Sequence, residues 1–294
     1  MTLAAVFPPM PTPFKDGEVD TTAIAANVTR WVRAGLGGVL ALGSNGEAPL
    51  LDDDEGDRVV GAAREVIPSG RLLIVGTGRE STRATIAASR RAAALGADAV
   101  LVRAPFFFKA AMTPDALVRH YLAVADGSPV GVILYNYPAL TGINLAPETI
   151  ARLAEHENII GVKETSSDAQ QLAACVDAVP RSFAVLCGSA PVFYAALCVG
   201  AAGGIVAAAC VAPELCVELQ ALAAAGRHAE ARALQRRLTP LARLVTTIHG
   251  VPGLKAAMDL AGYTAGAPRA PLAPLAEPGR QQIRAALGQL QEVS

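Results

Sequence analysis

A closed (β/α)8 barrel of the TIM type is the fold class this sequence predicts, on three observations. Eight short apolar runs recur along the first two-thirds of the chain, and segments of helical period separate them. The runs are apolar at nearly every position instead of alternating, as strands of a parallel sheet covered on both faces require. None of the turns between them carries a complete dinucleotide fingerprint.

In chain order the runs are "AAVF" near residue 6, "GVLALG" at 38–43, "RLLIVGTG" at 71–78 and "DAVLVRAP" at 98–105. "VGVILYNY" at 130–137, "NIIGVKET" at 158–165, "FAVLCGS" at 183–189 and "GGIVAAA" at 203–209 complete the set. Stretches such as "DTTAIAANVTRWVRAG" and "TRATIAASRRAAALGA" read as the connecting helices. Eight strand–helix units favour a barrel over an open doubly wound sheet. The Rossmann-like alternative needs G-x-G-x-x-G with an acidic residue beyond it, and "GTGRES" at 76–81 lacks the third glycine. After about residue 212 the pattern turns to helices alone, from "APELCVELQALAAAGR" to "PGRQQIRAALGQLQEV". The expected division is a barrel over 1–212 and a helical extension over 213–294 packed on it.

Composition narrows the function classes. With 294 residues, 52% of them hydrophobic and 17% charged, the chain has ample material for a large core. A formal charge of −1 and the lack of a basic run leave no electrostatic footprint for nucleic acid or an anionic membrane. The apolar runs are too short to span a bilayer, and the opening "MTLAAVFPPMPTPF" has no basic n-region of a signal peptide. Cys175, Cys187, Cys198, Cys210 and Cys216 form no C-x-x-C pair and sit in apolar segments, as reduced thiols do. A soluble cytoplasmic protein is expected.

Active sites of such barrels lie at the carboxyl ends of the strands. The residues closing the runs are therefore the candidates: "GSNGE" from Gly43 to Glu47, "GTG" at 76–78, Pro105 to Phe108, Tyr135-Asn136, Lys163, Gly188-Ser189 and Ile205. Lys163 stands out because lysine is rare here, occurring only at 15, 109, 163 and 255. An amine at the end of a buried strand loses hydration, which disfavours its charged form and lowers a pKa that is ordinarily about 10.4. The neutral amine condenses with a ketone, and the resulting iminium is an electron sink for breaking or making a neighbouring C–C bond. A phenol such as Tyr135 relays protons in such a step. Ser44 and adjacent backbone N–H groups at a helix start would hold a carboxylate. Taken singly, each residue has an ordinary explanation: a snorkelling lysine, a core tyrosine, a capping turn braced by Glu47. Their convergence at three strand ends points to Schiff-base chemistry. His120, His156, His228 and His249 are scattered without ligand spacing, so no metal is expected.

Four motifs then bring a family into view: "FPPMPTPF", "GSNGE", "YNYPALTG" and "GVKET". In order and spacing over nearly the whole chain they resemble the dihydrodipicolinate synthase/N-acetylneuraminate lyase family of class I, pyruvate-handling aldolases. The resemblance implies a covalent pyruvate-type adduct on Lys163, with Tyr135 as proton relay. It puts Ser44 and Asn45 on the substrate-carboxylate loop and Gly188 and Ile205 along the adduct. Thr165, inside the lysine motif, joins the substrate-binding set. No cofactor is implied, and the homo-oligomer expected is a dimer of dimers.

Departures bear on the substrate. Dihydrodipicolinate synthases carry an arginine for a second carboxylate where this chain has Leu140, and a threonine hydroxyl where it has Asn45. Their relay is completed by a tyrosine from a neighbouring subunit, whereas "PFFFK" offers only Phe106, Phe107 and Phe108. Lysine biosynthesis is disfavoured. "GSNGE", "RLLIVGTGREST" and "GVPGLKAAMDLAGYTAGAPRAPL" look closest to the 4-hydroxy-2-oxoglutarate aldolases, with Arg103 or Lys109 as candidate cations for a distal carboxylate. The expectation is a lyase releasing pyruvate and an aldehyde from a 4-hydroxy-2-oxo acid. A 2-oxo-3-deoxy sugar-acid aldolase or dehydratase is the near alternative. A non-catalytic 2-oxo-acid binder is the distant one, and a pyridoxal phosphate enzyme is weakened by the lack of a glycine-rich phosphate cup.

Overall fold

Strand formation follows the apolar runs. The computed structural model describes residues 2–291 and places eight strands in one parallel sheet. They are β1 (Val6–Phe7), β2 (Gly38–Ala41), β3 (Leu72–Gly76), β4 (Ala99–Arg103), β5 (Gly131–Asn136), β6 (Ile159–Glu164), β7 (Ala184–Cys187) and β8 (Gly203–Ile205). Each pairs with its successor from β2 to β8, and β8 pairs with β1 through Val6↔Gly204 and Phe7↔Ile205. Closure between β1 and β2 rests on Gly37 N donating to Val6 O at 2.9 Å and Leu40 N to Pro8 O at 3.0 Å. β1 is short because Pro8 and Pro9 have no N–H to give the ladder, while the Pro8 carbonyl still accepts.

The barrel lumen is filled by Phe7, Leu40, Ile74, Ala99, Leu101, Ile133, Tyr135, Leu186 and Ile205. Outward-facing Val39, Val75, Val100, Leu134 and Val162 pack under the surrounding helices. Burial on both faces is the reason the strands read as continuous apolar sequence. The helices start where the residues favour it. Asp20 caps Thr21–Arg33, Ser81 caps Thr82–Ala94, and Asp52 with Glu55 forms a capping box on Asp53–Val66. No described helix is long and apolar enough to cross a membrane.

After β8 the chain continues in helices Pro213–Ala224, His228–Arg243, Gly250–Leu260 and Glu277–Gln291, the first of which packs against helix Phe193–Cys198 and β1 as the eighth helix of the barrel. The stretch "HAEARALQRRLTPLARLVTTIHG" does not form one helix throughout but widens into a π-helical turn at Leu244–Ile248. Pro240, which lacks a donor, precedes it, and Gly250 at φ 54° redirects the chain after it. A second feature absent from the sequence reading is an antiparallel hairpin, Phe14–Lys15 with Glu18–Val19. Its turn is Asp16-Gly17, both at positive φ, as a two-residue hairpin loop requires.

Candidate active site

Lys163 is the fifth residue of β6 and sits in register with Tyr135 on β5 and Leu186 on β7. Alternation along β6 turns Val162 and Glu164 outward and Lys163 inward. The lysine is 4% exposed, and its Nζ lies 4.3 Å from the centre of the Tyr135 ring. Burial pulls its pKa down to about 7, against the opposing pull of the Cys210 and Cys187 thiols. A substantial share of this amine is therefore neutral near pH 7, unlike a solvated lysine.

Tyr135 shares that burial. Its hydroxyl lies 3.3 Å from Ser44 Oγ, and loss of hydration pushes its pKa up to about 12 while the Ser44 bond opposes the shift. The phenol thus stays protonated beside the amine. Ser44 and Asn45 follow β2 in a tight turn, with Gly46 N bonded to Gly43 O at 3.0 Å and Glu47 N to Ser44 O at 3.2 Å. Among the described residues the backbone N–H groups of Ser44 and Asn45 donate to no protein acceptor. The expected helix start is not there: a 3₁₀ turn at Ala48–Leu50 intervenes and the helix begins at Asp53. The two free amides and the Ser44 hydroxyl nonetheless offer donors for an anion. Gly76 makes the turn possible, since a Cβ there would lie 2.0 Å from Leu42 O.

Thr165 leaves β6 just beyond the lysine. Its Oγ1 is buried and makes no well-aligned hydrogen bond among the described residues, yet it lies close enough to the Tyr135 hydroxyl to oppose the rise of that phenol's pKa. Gly188 makes room for it, because a Cβ at 188 would lie 1.9 Å from Thr165 Oγ1 and 2.8 Å from Thr165 Cβ. Gly188→Ala is accordingly expected to push Thr165 aside, weakening 2-oxo-acid binding about tenfold and stability by about 1–3 kcal/mol. Ligand titration and urea unfolding of the same variant check both numbers. Ile205 closes β8, fully buried in the lumen cluster that also contains Tyr135 and Leu186.

The structure thus brings together Lys163 with Tyr135, Tyr135 with Ser44, and Thr165 with Gly188. It does not bring Arg103 free into the site. That guanidinium donates to Glu80 at 2.7 Å and lies over the Phe106 ring, and Glu80 also accepts from Phe106 N and Phe107 N. Lys109 is exposed. Leu140 is 51% exposed, and Phe107 and Phe108, 75% and 71% exposed, meet edge to face on the surface.

Sequence reasoning named Asn136 at its strand end but passed over outward Glu164, which it meets, and Gln171, which meets the same carboxylate. Asn136 Nδ2 donates to Glu164 Oε2 at 2.7 Å, Gln171 Nε2 to the same oxygen at 2.8 Å, and Ser166 N to Oε1 at 2.7 Å. Buried Glu164 thereby ties the ends of β5 and β6 together behind Tyr135 and Lys163. The signal was present: "YN" and "KE" place a polar residue after each candidate, on the opposite face. Tyr137 was also missed; its ring lies 5.8 Å from that of Tyr135.

Known proteins match this chain over nearly its whole length. The Dihydrodipicolinate synthetase family matches residues 2–290. A 4-hydroxy-tetrahydrodipicolinate synthase of Exiguobacterium is 35% identical over 284 residues, covering 96% of each chain. A DapA-like lyase of Halobacterium salinarum is 40% identical over 291 residues, covering 98% of this chain and 94% of the relative. The solved structure of YagE, an Escherichia coli K12 prophage protein of the dihydrodipicolinic acid synthase family in complex with pyruvate, superimposes with a TM-score of 0.93. It is 31% identical and 99% of both chains are covered. With a parallel barrel closed at Pro8 and matches of this length, the chain belongs to the dihydrodipicolinate synthetase family of lyases.

Proposed function

We propose that the protein is a class I aldolase that forms an imine between Lys163 and a 2-oxo acid and cleaves a 4-hydroxy-2-oxo acid to pyruvate and an aldehyde. The leading substrate is 4-hydroxy-2-oxoglutarate, which would yield glyoxylate. The observation that carries this reading is the buried amine of Lys163, with a pKa near 7, against the ring of a protonated phenol.

The chemistry follows from those two states. Neutral Nζ attacks the C2 ketone, and the Tyr135 phenol protonates the carbinolamine hydroxyl as it leaves as water. The phenolate so formed is strongly basic and takes the proton of the C4 hydroxyl. The C3–C4 bond breaks, its electrons pass to the iminium nitrogen, and the aldehyde departs. The enamine left on Lys163 is reprotonated at C3 and hydrolysed to pyruvate. Ser44 and Asn45 would hold the C1 carboxylate, Thr165 the substrate beside Gly188, and Ile205 the apolar methylene.

Imine formation is expected to rise with pH through a midpoint near 7 and level off above it, because protonated Lys163 cannot attack. Initial rates of borohydride-trapped pyruvate adduct across pH measure this. A panel of 4-hydroxy-2-oxo acids and 2-oxo-3-deoxy sugar acids, with pyruvate release as readout, tests the substrate. No turnover of 4-hydroxy-2-oxoglutarate would remove the leading assignment. The synthase reading is supported by the names of the relatives but weakened by Leu140, which has no charge for a second carboxylate. The dimer of dimers is part of the proposal, supported by the exposed Phe107–Phe108 pair and measured by light scattering.

A further inference from the structure

The turn that carries Ser44 and Asn45 is bounded by two non-glycine residues in the left-handed region, Leu42 at φ 53° and Glu47 at φ 57°. Such backbone persists only where surrounding contacts over-determine it. At Glu47 those contacts come from the far end of the chain. Its carboxylate accepts from Lys255 Nζ at 2.7 Å and from the backbone N–H of Arg269 at 2.7 Å. Lys255, in helix Gly250–Leu260, also donates to Ala267 O at 3.0 Å and lies over the Phe14 ring. The side chains of Lys255 and Glu47 are 1% and 0% exposed. Arg269 fastens the same segment, gripping Glu55 with both nitrogens at 2.6 and 2.7 Å and donating to Leu50 O at 3.0 Å. The 3₁₀ turn that follows Glu47 is thus held at both ends by the C-terminal segment.

Charge gives this clamp a consequence for binding. A bare carboxylate two residues from Asn45, in a site of low dielectric, would repel a substrate carboxylate at the Ser44 and Asn45 amides. Lys255 balances that charge in place, and a buried pair with further hydrogen bonds is the arrangement that tolerates desolvation. Burial lowers the Lys255 pKa, with Glu47 opposing the shift.

We propose that Glu47 and Lys255 form a positioning pair that sets how tightly the Ser44–Asn45 turn holds the carboxylate of a 2-oxo acid. The helical extension, and not the barrel alone, thereby tunes substrate binding. Neither side chain touches the substrate; the inference rests on the carboxylate role proposed above for Ser44 and Asn45.

The test titrates pyruvate against borohydride-trapped adduct, read by intact mass, in five full-length proteins: wild type, Lys255→Met, Glu47→Gln, the double variant, and Arg152→Ala. The last removes an exposed ion pair with Asp115 on the outer helices and serves as control. Lys255→Met is expected to raise the half-saturating pyruvate concentration about tenfold, through repulsion by the bared Glu47 carboxylate and misplacement of the turn, and Glu47→Gln about threefold, through misplacement offset by the attraction of the cation it leaves. The pH midpoint of adduct formation, which reports Lys163, stays at the wild-type value. The double variant, with no unpaired charge, regains affinity relative to Lys255→Met. Wild-type affinity in the folded single variants, even with lowered melting temperatures, marks a stability brace and overturns the proposal. A double variant no better than the weaker single variant does so too. If Lys255→Met does not fold, Glu47→Gln alone decides on the same criterion. Absence of adduct in the wild type is a separate failure, that of the imine reading itself.

Discussion

Replacing Lys163 with methionine is expected to abolish turnover and to stabilise the protein at the same time. Turnover should fall at least about 10⁴-fold, because among the described residues no other amine faces the Tyr135 ring and the covalent route is lost as a unit. Stability should rise because the native site holds an amine whose charged form it disfavours. The folded pKa is about 7 against 10.5 for the solvated side chain, so between those values the unfolded chain binds more protons than the native one. Wild-type stability therefore drops as pH falls through that window, and the loss is complete below the folded pKa. Methionine has a similar length and no charge. At pH 7 the variant should be more stable by on the order of 4–5 kcal/mol, and the advantage should vanish above about pH 10.5. Urea unfolding of both proteins at several pH values measures it. A variant that is no more stable at pH 7 would mean that the amine is not desolvated.

Tyr135→Phe is expected to lower kcat by about 10² to 10⁴, the usual contribution of a positioned proton donor and acceptor. The phenylalanine ring keeps the apolar contact with Lys163 and with the lumen cluster. The pyruvate adduct should still form, more slowly, and be trapped at the same site. The lost hydroxyl bond to Ser44 is long at 3.3 Å, so stability should change by no more than about 1 kcal/mol. A split between slow turnover and intact adduct formation distinguishes a relay from a packing residue. A kcat within about threefold of wild type would remove Tyr135 from the mechanism.

How far the sequence could be read depended on the range of the interaction. The strands were legible because double-sided burial makes each run apolar throughout, and Lys163 was legible because it interrupts such a run with a charge. The alignment of Lys163 beside Tyr135 is a matter of sheet register, which neither run carries by itself. Local signals were overlooked where elements are short. Asp16-Gly17 marks a hairpin whose strands are two residues each, and Asp52 with Glu55 marks a helix start beyond the "GSNGE" turn. Long-range ion pairs were not legible. Arg103 was a candidate for a distal carboxylate until its partner Glu80 was placed beside it, and Glu47 looked like a turn brace until Lys255, 208 residues on, met it. Charged side chains declare their partners only in three dimensions.

The most direct test of the account is where a reduced pyruvate label goes. Wild-type protein treated with pyruvate and borohydride near pH 8, then digested and mapped, should carry one 1-carboxyethyl group per chain on the Lys163 amine, with Lys15, Lys109 and Lys255 unmodified. A digest in which Lys163 is unlabelled under saturating pyruvate would contradict the proposed chemistry outright.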